Sequence, residues 1–330
     1  MKQIWFRIKH YLHWVILGGM LFFFAQEVKH HWKEVAAIRI DGAGWIYLSL
    51  AIIVTLLAFA WAGWVWSWTL QEFKQPLSSP WVIKVYLKTH IAKYLPGSLW
   101  DYWGRIWLTK EAGVSPQVAT LSVVIEPFLM IAAALLIVLI GRHLYGSVSP
   151  NLGNSSLPLI CLVGVLMIVH PWFLNPVLRY MGKFKGKRKE CTSVNTVAFK
   201  IERYPLKLVL GEVGYLGIRG IGFWLTCMAL TSVNPSQIPM LVTTFTLAWL
   251  AALVIPGAPG GVGVFEATAI ALLNQSFSTG LVLSVVAVFR LVTVLAEATG
   301  AGLAYLAQRR YTQKYQLDTS STEAELVQLE

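Results

Sequence analysis

Apolar runs of about 18 residues or more recur from one end of this chain to the other, and they constrain its fold more than any single motif. As a helix, each is long enough to cross roughly 30 Å of hydrocarbon. Lipid satisfies no backbone N–H or C=O, so a segment crossing it must close its own hydrogen bonds. The runs fall at about Tyr11 to Ala25, Gly42 to Leu70, Val118 to Ile140, Leu157 to Leu174, Leu206 to Leu230, Ile238 to Ile255 and Leu281 to Leu306. A Gly/Pro-interrupted apolar segment lies over Pro256 to Leu273. The pattern predicts an all-α fold, a polytopic transmembrane helical bundle of about eight spans. Only 13% of the 330 residues are charged, against roughly a quarter in a soluble domain, so no separate water-soluble module is expected.

The net charge of +11 sits in basic stretches between the apolar runs. Lys84, Lys88, Lys93, Arg105 and Lys110 mark one such connection, and Arg179, Lys183, Lys185, Lys187, Arg188, Lys189, Lys200 and Arg203 a second. Arg309, Arg310 and Lys314 follow the last run. Juxtamembrane basic loops facing anionic lipid account for this charge, so the expected partners are membrane lipids and not nucleic acid. The bias predicts both termini on the cytoplasmic side of the inner cell membrane. Lys29, Lys33 and Arg39 in the first outside loop run against that orientation. Residues 1–310 are read as one transmembrane domain, and the polar, terminally acidic residues 311–330 as a disordered cytoplasmic tail. The sequence is compatible with an oligomer.

Gln71 to Pro116 is amphipathic and is not expected to span. Lys84, Lys88 and Lys93 interleave with Val82, Val85, Tyr86 and Ile91, which suits the interface. Further on, Trp100, Trp103 and Trp107 share one helical face while Asp101 and Arg105 form an i, i+4 pair on another. Trp61, Trp64, Trp66 and Trp68 fit an interfacial aromatic belt.

Two segments carry a similar succession of features. Tyr94-Leu95-Pro96-Gly97 precedes Leu121-Ser122-Val123-Val124, and Ile255-Pro256-Gly257-Ala258-Pro259-Gly260-Gly261 precedes Leu283-Ser284-Val285-Val286 at a similar interval. Each break leads to a span with an ionisable residue, Glu126 in the first and Arg290 in the second. Candidate halves of an inverted repeat therefore lie at about 42–174 and 206–306, with Pro96, Gly97, Pro256, Gly257, Gly260 and Gly261 at re-entrant breaks. A tight turn between helices is the plainer reading of each break. A helix N-terminus opening toward an anionic headgroup is the sharper one.

Ionisable residues at bilayer depth cost on the order of 2.5–3.5 kcal/mol each on insertion scales, so each calls for a partner or a polar path. They are Glu126, Glu212, Arg219, Glu266, Arg290 and Glu297. Glu126 and Arg290 are expected to neutralise each other across the halves, either as a structural pair or in substrate handling. Arg290 and Glu297 share one side of the last span, and Glu212 and Arg219 have the same spacing in theirs. Gly211, Gly214, Gly217, Gly220 and Gly222 wind a close-approach surface round that helix. No metal-ligand spacing, nucleotide-sugar DxD motif or GxSxG elbow occurs, and the three cysteines fit no paired motif. No catalytic residue, metal or cofactor is assigned.

The stretches Lys93-Tyr94-Leu95-Pro96-Gly97-Ser98-Leu99-Trp100 with Gly104-Arg105 and Glu126, and Pro256-Gly257-Ala258-Pro259-Gly260-Gly261-Val262-Gly263-Val264-Phe265-Glu266 with Phe289-Arg290-Leu291, carry a family resemblance. From about Ile4 to Arg310 the chain resembles the lysylphosphatidylglycerol synthase transmembrane-region family. That resemblance implies the lipid-translocating part of proteins that make and flip aminoacylated phosphatidylglycerol, without their soluble aminoacyl-transferase domain. Many relatives have Arg directly after the residue matching Glu126, where this chain has Pro127, and this favours Arg290 as the partner of Glu126. The expected function is a flippase or lipid-transport protein for an anionic or isoprenoid-linked lipid. Its path residues would be Pro96, Gly97, Arg105, Glu126, Pro256, Gly257, Gly260, Gly261, Glu266, Arg290 and Glu297. The alternatives are an accessory subunit or membrane-embedded transferase of glycolipid or envelope-lipid synthesis, and a non-transporting scaffold.

Overall fold

The computed structural model describes residues 40–94, 99–145, 157–170, 172, 176, 206–255, 263–274 and 276–328. Among these residues the secondary structure is entirely helical. In chain order the helices are α1 (Gly42–Glu72), α2 (Ser79–His90), α3 (Trp100–Glu111), α4 (Pro116–Tyr145), α5 (Leu157–Val169), α6 (Leu206–Leu230), α7 (Ile238–Val254), α8 (Val264–Leu273) and α9 (Thr279–Gln328). Short 3-10 turns at Ile91–Tyr94 and Pro235–Gln237 follow α2 and precede α7.

Five described helices are long and apolar enough to cross a membrane: Gly42–Glu72, Pro116–His143, Leu206–Leu230, Pro235–Val254 and Thr279–Arg309. They match the expected runs closely, and the chain is a multi-pass helical membrane protein. Of the other three expected passes, the run at Tyr11 to Ala25 lies outside the described residues. Helices α5 and α8 are apolar but short. The ten residues of α8 rise only about 15 Å, half the hydrocarbon thickness. The amphipathic stretch after α1 is α2 and α3, as its alternating charges require.

Local chemistry places the helix ends. The Asp41 carboxylate accepts a 2.7 Å hydrogen bond from the Gly44 N–H and so starts α1. Lys74 takes a left-handed φ of 55° just beyond α1, and Pro80 in the first turn of α2 begins the return. At the other end of the chain, α9 continues to Gln328. A helix already nucleated within a span can be extended one hydrogen bond per residue even through polar sequence.

Helix α6 organises the bundle by running antiparallel to α1. A Cβ at Gly211 would lie 2.8 Å from Val65, one at Gly214 3.1 Å from Trp61, and one at Gly222 2.8 Å from Thr55, while Gly44 of α1 faces the Ala229 carbonyl. A Cβ at Gly220, on another face, would lie 3.0 Å from Val242 of α7. The glycines thus serve two neighbours, as their drift round the helix predicts. The Trp61 indole N–H donates to the Gly211 carbonyl at 2.8 Å across the α1–α6 seam. Helix α2 lies on α1 and α9, α3 lies on α4, and α8 lies on α7 and α9.

Close backbone approach also fixes α2 on α1, since a Cβ at Gly63 would meet the Tyr86 Cβ at 3.0 Å and the Ile83 Cα at 3.1 Å. Gly63→Val is expected to lower stability by about 1–3 kcal/mol through overpacking. Gly217→Ala, where nothing lies within 4 Å, should be nearly neutral. Thermal unfolding of both variants in detergent checks the contrast.

Candidate functional site

Two of the buried ion pairs gather where α2, the turn after it and α3 meet α4 and α9. Arg105 of α3 is 3% exposed, and its Nη1 makes an ion pair with Oε2 of Glu126 on α4. The other carboxylate oxygen accepts from the Tyr86 hydroxyl at 3.1 Å. The guanidinium lies 4.7 Å from the centre of the Tyr86 ring, 5.1 Å from Tyr102 and 5.4 Å from Trp66. Aromatic faces and a carboxylate together offset the loss of water around the cation.

This geometry corrects three expectations. Glu126 pairs with Arg105 and not with Arg290, because α3 packs directly on α4 and delivers a guanidinium within reach. Arg105 is consequently a buried partner and not an exposed cation of the basic connection. Trp66, expected in an interfacial belt, is 1% exposed, and its indole N–H faces the Ser122 hydroxyl at 3.4 Å. Trp103 and Trp107 do stand exposed on the outer face of α3.

Arg290 has its carboxylate partner in its own part of the chain. Its Nε donates to Oε1 of Glu266 at 2.5 Å, joining α9 to α8. The second Glu266 oxygen accepts from the Gly263 N–H at 2.6 Å, where Gly263 holds a left-handed φ of 89°. Glu266 therefore caps the N-terminus of α8, and that helix end is taken by its own carboxylate. The two arrangements correspond: a short helix supplies one charge and the next long helix the other, Arg105 to Glu126 and then Glu266 to Arg290 with the signs exchanged.

A third pair joins distant segments. Lys93, in the turn after α2, pairs with Glu297 of α9, and His90 Nε2 lies 3.7 Å from the same Oε1. Lys93 is half-buried, and of the two lysines in α2 only Lys88 is exposed. The His90 ring stacks on Tyr86 at 5.3 Å and 18°. Tyr86 thus links the Arg105–Glu126 pair to the Lys93–Glu297 pair, so one polar network crosses from α3 through α2 to α9.

Electrostatics in the α2–α3 region follow from burial. Burial lowers the His90 pKa, and Lys93, Arg105 and Arg219 lower it further, so the ring is neutral near pH 7. Asp101, one turn before Arg105, is raised by burial against the pull of that cation. Burial acts against the charge of Arg105, yet Glu126 and then Tyr86 raise its pKa and keep it protonated. Tyr86 is raised by burial and by the Glu126 carboxylate, so its hydroxyl remains a donor.

Pro96, Gly97, Pro256, Gly257, Gly260 and Gly261 lie outside the described residues, whereas Arg105, Glu126, Glu266, Arg290 and Glu297 all take part in buried or half-buried ion pairs. His90 was not singled out from sequence, and Tyr86 and Lys93 were read only as parts of an amphipathic stretch and a basic connection. Their spacing over α2 and its turn was a usable signal, since one face of an otherwise amphipathic segment carries all three. Among the described residues no group of three or more His, Cys, Asp or Glu side chains is placed to hold a metal ion.

The family model described as Lysylphosphatidylglycerol synthase TM region matches residues 12–299. The chain belongs to that family. The match takes in every ion pair described above, and it agrees with the membrane bundle built from the apolar helices. No curated protein matches the chain.

The His90 environment gives a pH dependence. In the unfolded chain this imidazole takes a proton near 6.5, whereas the folded site resists it, so the unfolded state binds more protons as pH falls through that value. Folded stability is therefore expected to drop on acidification from about pH 7 to pH 5. His90→Phe, which keeps a ring on Tyr86, should flatten that part of the profile when melting temperature is followed against pH.

Proposed function

We propose that this chain is a lipid flippase or lipid-transport protein of the inner cell membrane, moving an anionic or isoprenoid-linked lipid, with both termini in the cytoplasm. The observation that carries this reading is the polar network inside an otherwise apolar bundle. Arg105–Glu126, Lys93–Glu297 and Arg290–Glu266 bring charge to helices that pack against spans. Charge at that depth is costly, and in membrane proteins it usually marks a polar path.

Membership of a family described by a lipid synthase's transmembrane region supports the lipid as cargo. The corresponding pairs at α3–α4 and α8–α9 are what two related halves around a central path would present. An exposed aromatic row, Trp103 and Trp107 on α3, suits a helix resting at the membrane surface near the path entrance. The basic connections, including exposed Lys88, support the cytoplasmic orientation of that surface.

Proteoliposomes containing the purified chain and fluorescent lipids test the reading through leaflet exchange. Faster exchange of an anionic or isoprenoid-linked lipid than in protein-free vesicles is expected. Arg290→Ala should slow it roughly tenfold, the equivalent of about 1.4 kcal/mol in the barrier. No acceleration with any such lipid would overturn the proposal, and a lipid species lost from cells lacking the chain would favour a transferase role.

A further inference from the structure

Arg219 of α6 is handled differently from the other buried arginines. It is 6% exposed, and its Nε and Nη1 have no hydrogen-bond partner among the described residues. Three phenylalanine rings surround the guanidinium, Phe59 of α1 at 5.0 Å, Phe289 of α9 at 5.3 Å and Phe245 of α7 at 5.8 Å. Ring faces favour a cation, but they accept no N–H hydrogen bond at its edge. The cage stabilises the charge and leaves the donors unused.

Other donors collect on the same helices. The Thr55 hydroxyl, one turn before Phe59, and the Thr293 hydroxyl, one turn after Phe289, are buried and also have no hydrogen-bond partner among the described residues. Gly222 follows Arg219 by almost one turn. A Cβ there would stand 2.8 Å from Thr55 Oγ1 and 3.8 Å from Phe289 Cε2, so only glycine lets α6 approach that hydroxyl so closely. No carboxylate forms an ion pair with Arg219 among the described residues, whereas Arg105 and Arg290 each have one.

We propose that Arg219, with the Thr55 and Thr293 hydroxyls, is a binding site for a phosphate-class oxyanion at the junction of α1, α6, α7 and α9. A tetrahedral oxyanion has enough acceptor oxygens for a guanidinium and two hydroxyls at once. The source is either the headgroup phosphate of a lipid or free phosphate. The proposal rests on the lipid-path reading for its biological purpose and assigns that path its cation, since Arg105 and Arg290 are already neutralised by carboxylates.

The test uses the full chain in uncharged detergent, with thermal unfolding followed by tryptophan fluorescence. Phosphatidylglycerol is expected to raise the unfolding temperature saturably, while diacylglycerol with the same acyl chains does not. Arg219→Gln should weaken the apparent affinity about 10–100-fold, the size of a lost charge-assisted interaction. Arg219→Lys, which keeps the charge without the guanidinium, should weaken it less and serves alone if the glutamine variant does not fold. Competition by millimolar inorganic phosphate that disappears in the variants identifies a free-anion site, whereas inert phosphate identifies a lipid headgroup site. Equal stabilisation by diacylglycerol, or wild-type affinity in both variants, would overturn the proposal. Arginine-dependent binding without leaflet exchange would reject only the transport reading, and exchange without arginine-dependent binding would reject only this site.

Discussion

A charge placed among hydrocarbon-facing helices has lost its water, and the architecture of this bundle follows from how that loss is offset. Arg105 and Glu126 are both almost fully buried, so each would be strongly unfavourable alone. Their pairing requires α3 to lie against α4, and the rings of Tyr86, Tyr102 and Trp66 require α2 and α1 to close over the guanidinium. Four helices are thereby held in one register by a single cation. Lys93–Glu297 extends the constraint to α9, and Glu266–Arg290 ties α9 to α8 while capping the latter.

Small residues make those approaches feasible. Without hydrophobic driving force between helices in lipid, association depends on close packing, and glycines let backbones come near enough for it. The α1–α6 seam illustrates the point, with Gly211, Gly214 and Gly222 on one helix and Gly44 on the other. The same seam carries Thr55 and leads to Arg219, so the packing that brings the helices together also sets the Thr55 hydroxyl against Gly222. Stability and the proposed oxyanion site are therefore parts of one arrangement.

Much of the fold was legible because span length and apolar content are properties of contiguous sequence. Gly42 to Leu70, Leu206 to Leu230 and Ile238 to Ile255 correspond almost residue for residue to α1, α6 and α7. The identities of the buried charges were legible for the same reason. Their partners were not, because pairing depends on how helices pack. Arg105 meets Glu126 across 21 residues, but Lys93 meets Glu297 across 204, and no local spacing encodes the second contact. Trp66 shows the same limit: four tryptophans within eight residues suggest a belt, yet helical geometry turns one of them into the core.

The dependence of the bundle on paired burial is measured most directly by a double-mutant cycle at Arg105 and Glu126, using Arg105→Met, Glu126→Leu and the double variant in detergent unfolding. Either single change should destabilise the fold by about 3–5 kcal/mol, because it leaves an uncompensated buried charge. The double variant should be clearly more stable than the sum of the two predicts. Strict additivity of the two changes would contradict the account.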